Sequence, residues 1–139
     1  MGYESKIYIV ERYENERPDG RRYTNALILA EYDLCKMGGM SYAPEFYKAF
    51  RTEIDYTLLL PGYDPEKGVE CLVEQYADCY GEHMKSADIG ELIDALTAVE
   101  NREHYRRIPP LVAMLTALKL EADEWNTDGC TLEVVHYGY

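Results

Sequence analysis

Nowhere in this sequence is there an apolar run approaching the roughly 18 residues that a bilayer-spanning helix needs. The opening MGYESKIYIVERYE has neither a basic leader nor a long apolar stretch, so no secretion signal is read and a cytoplasmic location is expected. Basic side chains are scarce, 14 Lys and Arg against 26 Asp and Glu, for a formal net charge of −12. That balance argues against direct nucleic-acid binding and against docking on an anionic membrane. Phenylalanine and tryptophan are nearly missing, two Phe and one Trp beside 14 Tyr. Tyrosine brings apolar area with a polar tip, which suits shallow cores and contact surfaces alike.

Catalytic signatures are absent as well. There is no GxSxG, Walker A loop, GxGxxG or HExxH. No catalytic residue and no cofactor are therefore assigned, and a non-enzyme is expected. The four cysteines, Cys35, Cys71, Cys79 and Cys130, form no CxxC pair. Free thiols are expected, buried as small apolar side chains. Cys71, Cys79 and His83 lie close in sequence, but structural zinc sites show two tight ligand pairs, so no metal is assigned.

What is present suits one folded domain. The 139 residues fit a single domain over 1–139, and 47% apolar with 29% charged residues is a globular balance. Lys6 to Tyr13 is rich in β-branched and aromatic residues and reads as a strand. Pro18-Asp19-Gly20 turns the chain into a second strand, Tyr23 to Cys35, with Ala26, Ile28, Ala30, Tyr32 and Leu34 expected on one face. Pro44 opens a short helix carrying Phe46, Tyr47 and Phe50, and Ile54 to Leu60 reads as a strand closed by Pro61-Gly62.

Residues 64–82 fit helix or strand. The reading adopted is a turn or short helix near 65–69 and a strand near 70–77. Asp88-Ile-Gly-Glu91 matches a capping box, and Ile89, Leu92, Ile93, Leu96 and Val99 make a helical apolar stripe. Pro109-Pro110 start a second helix with Leu111, Met114, Leu115, Leu118 and Ala122 on one side. Asp128-Gly129 is a turn before a closing strand, Thr131 to Tyr137. The expected fold is α+β, an antiparallel sheet with helices packed on one face.

Charge is unevenly spread. Between Glu53 and Glu103 thirteen acids face three bases, while the rest of the chain holds thirteen against eleven. Within the acidic stretch Glu66, Glu70, Glu74, Asp78 and Glu82 recur at every fourth position. Such a row is either a solvated face or a surface that imitates nucleic-acid phosphates, which lie one charge per roughly 1.7 Å of duplex axis. A second candidate is Tyr105, Arg106 and Arg107, a compact basic patch. It either answers a helix C-terminus or holds a small anion such as a nucleotide.

The opening Met1-Gly-Tyr-Glu-Ser-Lys-Ile-Tyr-Ile-Val10 and the close Val135-His-Tyr-Gly-Tyr139 resemble a group of small accessory proteins of phages and prophages in Gram-positive bacteria, as do Tyr80-Gly81-Glu82 and Tyr105-Arg106-Arg107. The resemblance implies a setting, the cytoplasm of a bacterial host, and carries over no activity or site. Accessory proteins of this type often disable a host defence component, as anti-CRISPR inhibitors do. The expected function is a non-catalytic binding protein whose acidic row occupies the nucleic-acid channel of a host enzyme. The alternatives are a nucleotide-signal sponge using Arg106 and Arg107, and a structural or assembly protein kept soluble by its charge.

Overall fold

A computed structural model describes residues 5–34, 44–99, 108–125 and 130–138. The elements run β1 (Ser5–Glu16), β2 (Arg22–Asp33), α1 (Pro44–Lys48), β3 (Thr52–Glu53), β4 (Leu58–Asp64), β5 (Val69–Gln75), β6 (Lys85–Asp88), α2 (Ile89–Thr97), α3 (Ile108–Trp125) and β7 (Cys130–Gly138). Five strands form one antiparallel sheet in the order β2-β1-β7-β6-β3, and β4 and β5 form a separate two-stranded hairpin. The fold is α+β, as the sequence pattern predicts.

Strand β1 lies between β2 and β7, and its alternation divides the interior in two. Ile7 and Ile9, with Val134 and Ala87 from the neighbouring strands, face Phe46, Leu92, Leu96, Ile108, Leu111 and Leu115 of the helices. Tyr8, Val10 and Val135 point the other way and meet Ile54, Tyr56, Leu58, Leu60 and Met84. Period-two alternation sends neighbouring residues to opposite faces, so a strand buried on both sides reads as a continuous apolar run. The helices do cover one face; the second is covered by the segment from Ile54 to Met84, a layer the sequence reading did not foresee.

The second strand departs from expectation at one residue. Ile9 pairs with Ala30 but Val10 pairs with Ile28, leaving Leu29 as the extra residue of a β-bulge. The bulge reverses the alternation. Ala30, Tyr32 and Leu34 join the helix-side core, whereas Ala26 and Ile28 join the opposite one. The five residues therefore do not share a face.

A strand over Ile54 to Leu60 does not form either. β3 ends at Glu53, and β4 begins at Leu58 and runs through Pro61-Gly62 to Asp64. Proline removes a ladder donor, and here the Gln75 side-chain amide donates to the carbonyls of Leu60 and Pro61 at 3.4 and 3.2 Å. Gly62 suits a close approach, because a Cβ there would lie 3.0 Å from a Val73 methyl group and from the Gln75 amide, and these side chains would have to give way. Asp64-Pro65 opens a tight turn: the Asp64 carboxylate accepts from the Glu66 and Lys67 amides, and Gly68 closes it at φ +65°. The strand reading of the following residues holds, as β5.

Helix α2 is capped by Asp88, whose carboxylate accepts from the Glu91 amide at 3.1 Å. The reciprocal half of the capping box is replaced, since the Glu91 carboxylate pairs instead with Arg51 at 2.7 Å. Ile89, Leu92 and Leu96 are buried, with Ile93 and Val99 packed at the margin of the same core. In α3, Leu111 and Leu115 are buried and Met114 and Leu118 pack beside them. Cys35 and the turn at Asp128-Gly129 lie outside the described residues.

Truncating Leu96 to Ala removes a fully buried side chain from the centre of the helix-side core. It should destabilise the protein by about 2–5 kcal/mol in denaturant unfolding. A variant with the parent's unfolding midpoint would show that α2 does not pack there.

A second expectation concerns alkali. Burial, then the hydrogen bond that the Tyr56 hydroxyl donates to the Glu133 carboxylate, raise the Tyr56 phenol far above its ordinary value, against a smaller lowering by Arg12. A folded-state pKa above the unfolded one makes stability fall as pH rises past about 10. Tyr56→Phe should flatten that fall by about 1.4 kcal/mol per pH unit, measured as urea midpoints above pH 10. Identical slopes for variant and parent would remove Tyr56 from the alkaline transition.

Candidate functional site

The hairpin β4–β5 presents two unlike faces because its alternation is regular across seven paired positions. Leu58 and Leu60, paired with Gln75 and Val73, form the inner face, and both leucines are buried against the sheet. On the outer face Leu59 lies across from Glu74, Pro61 from Leu72 and Tyr63 from Glu70. Leu59, Tyr63 and Leu72 are each more than half exposed, and Glu70 and Glu74 are exposed beside them. Glu66 sits at the tip in the connecting turn. An open hollow of about 550 Å³ is lined by Pro61, Gly62, Tyr63, Glu70, Cys71 and Leu72.

The acidic row is thus divided by the fold. Glu66, Glu70 and Glu74 share the hairpin, but on a strand positions four apart are separated by roughly 13 Å, not stacked as on a helix. Leu72 stands between Glu70 and Glu74. The β5 carboxylates face outward, opposite Val69, Cys71 and Val73, but they share that outer face with Leu59, Tyr63 and Leu72. Among the described residues none of the three carboxylates takes part in an ion pair.

Asp78 has a different occupation. One carboxylate oxygen accepts from the amides of Tyr80 and Glu82 at 2.8 and 3.0 Å, and the other from Gly138 at 3.3 Å. Gly81, at φ +81°, completes this turn with a bond to the Asp78 carbonyl. Asp78 therefore holds the turn and the end of β7 together, while Glu82 is exposed in the same turn. The basic candidates Tyr105, Arg106 and Arg107 lie outside the described residues.

The thiols correct the sequence reading. Cys71 and Cys79 are free and exposed, not buried space-fillers. The His83 ring is held at 2.8 Å from the Ile54 carbonyl by Nε2 and at 3.2 Å from the Glu53 carboxylate by Nδ1. Among the described residues no group of three His, Cys, Asp or Glu side chains is placed to hold a metal ion.

One pair escaped the sequence reading because its members stand 131 residues apart: Ser5 Oγ lies 3.0 Å from His136 Nε2. A nucleophile and base at this distance suggest acyl transfer, but Ser5 is only 2% exposed. The contact ties β1 to β7 beneath the Tyr47 and Phe50 rings, which pack on His136. A separate groove of about 460 Å³ runs beside β3 and β6. Its two arginines are already engaged, Arg12 with Asp55 at 2.9 Å and Arg51 with Glu91 at 2.7 Å. Five carboxylates line it against these two cations, and of the others Asp88 caps α2 and Glu133 accepts from Tyr56, so no cation on its walls is left to hold an anion.

Comparison with protein-family models, with curated proteins and with solved structures found no match. The geometry of the chain itself is what bears on its function.

Exposure makes the thiols testable. Cys71 and Cys79 should react with a thiol-specific disulfide reagent in the native protein about as fast as in denaturant. Cys71→Ser and Cys79→Ser should each remove one fast equivalent. Slow labelling of both sites in the native protein would mean that these side chains are covered.

Proposed function

We propose that this chain is a non-catalytic binding protein that docks on a basic, nucleic-acid-binding groove of a partner protein through the outer face of β4–β5. The carrying observation is the combination on one hairpin of three exposed carboxylates, Glu66, Glu70 and Glu74, unpaired among the described residues, with exposed Leu59, Tyr63 and Leu72. Carboxylates opposite Lys and Arg of such a groove supply orientation and rapid encounter, and apolar side chains between them supply desolvated contact. A groove built for phosphates is the partner surface with the matching sign of charge. In the phage-type setting implied by the chain's ends, that partner is a host enzyme that handles nucleic acid, and occupation of its channel inhibits it. Asp78 supports the reading indirectly by fixing the turn that follows the hairpin.

The test starts from a partner recovered by pull-down from bacterial lysate. Replacing Glu66, Glu70 and Glu74 together by Gln removes charge without touching a buried contact, so folding should be unchanged. Exposed charges contribute about 0–1 kcal/mol each, so the triple variant should bind about tenfold more weakly at low salt. The difference should shrink as salt is added, and the parent should compete with the partner's own DNA or RNA. Parent-like affinity of the triple variant at low and high salt alike would sink the proposal.

A further inference from the structure

Strand β2 closes one side of the five-stranded sheet, and its outer edge is unpaired among the described residues. Protein sheets guard such edges by keeping them short, by placing Pro or inward charges on them, or by bulging them. β2 is twelve residues long and contains no proline, and no charge falls between Arg22 and Glu31. Its one guard is the bulge, and the residue left over by that bulge is a leucine. Leu27 and Leu29 are 54% and 42% exposed. Edges of this kind bind another strand by extending the hydrogen-bond ladder.

Charge along β2 says which strand. Its start is basic, with Arg21 and Arg22, and its end is acidic, with Glu31 and Asp33. A second β2 laid antiparallel about a two-fold axis near Leu27 and Ile28 brings each basic end to an acidic one and sets the leucines against each other. The contact is self-complementary, as an isologous interface must be. The pair that Arg22 makes within the chain is long and exposed, at 3.9 Å to Glu14, so at that residue a second copy competes with little. We infer that two copies of this chain associate through their β2 edges into one continuous ten-stranded antiparallel sheet. The hairpin β4–β5 takes no part in the contact, so each dimer carries two docking faces.

Sedimentation equilibrium and light scattering on the full chain test this. The parent should be a dimer, and Leu27→Lys combined with Leu29→Lys should be a monomer. Arg22→Glu and Asp33→Arg should each weaken the dimer at least about tenfold, because each sets like charges together at both ends. Mixing these two single variants should restore a tight heterodimer. At one end the carboxylate introduced by the first variant then meets the guanidinium introduced by the second, and at the other end the native Arg22 and Asp33 still face each other. That recovery is specific to antiparallel pairing of β2 with itself, and it stays informative should the double lysine variant fold poorly. A parent that remains monomeric up to millimolar concentration would overturn the inference. So would a dimer indifferent to both charge reversals, or single variants that do not recover on mixing.

Discussion

The pairing of β1 with β7 is the constraint on which the rest of the structure depends. Their register, from Ser5 opposite Gly138 to Tyr13 opposite Cys130, is unbroken over nine pairs. β1 is buried on both faces, so that register assigns Ile7 and Ile9 to the helices and Tyr8 and Val10 to the opposite layer. A slip of one residue would exchange the two sets and mismatch both cores at once. The helices and the hairpin layer never need to contact each other strongly, because each is fastened to the same sheet from its own side.

Function is placed by that arrangement more than by any single site. The helix-side layer consumes most of the large aliphatic residues in its own core. The opposite layer is thinner and ends in a hairpin whose inner leucines anchor it and whose outer ones are more than half exposed. An exposed leucine alone carries little meaning. Leu59, Tyr63 and Leu72 acquire theirs by sharing one surface with carboxylates that no cation among the described residues neutralises.

What was legible in the sequence was what is local. The stripe from Ile89 to Val99 and its Asp88 cap specify α2 within one short stretch, and Pro18-Asp19-Gly20 specifies the first hairpin. β6 was not legible, since Lys85-Ser-Ala-Asp88 is four residues long and buries two consecutive positions, Ser86 and Ala87, which erases any alternation. The face change at Leu29 was hidden because a bulge leaves no mark in hydrophobic spacing. The continuation of β4 through Pro61-Gly62 depended on a side chain well along the chain, Gln75. The acidic spacing was visible, but whether every fourth residue meant stacking or wide separation turned on the helix-or-strand question. Nor does spacing reveal that Asp78 is engaged by backbone amides while Glu66, Glu70 and Glu74 are not.

The adjacency of β1 and β7 also sets the order of events on the ribosome. Residues paired in the centre of the sheet are separated by well over a hundred positions, a connection whose closure is slow because loop entropy is lost before contacts form. β1 and β2 form their hairpin early, yet the other side of β1 then waits as a bare apolar ladder until synthesis has passed residue 138. Throughout that interval Ile7, Tyr8, Ile9 and Val10 have only half of their shelter. The nascent chain is therefore at its stickiest until β7 is in place, and a shortened product lacking β7 would be a substrate for aggregation or proteolysis, not a smaller version of the protein.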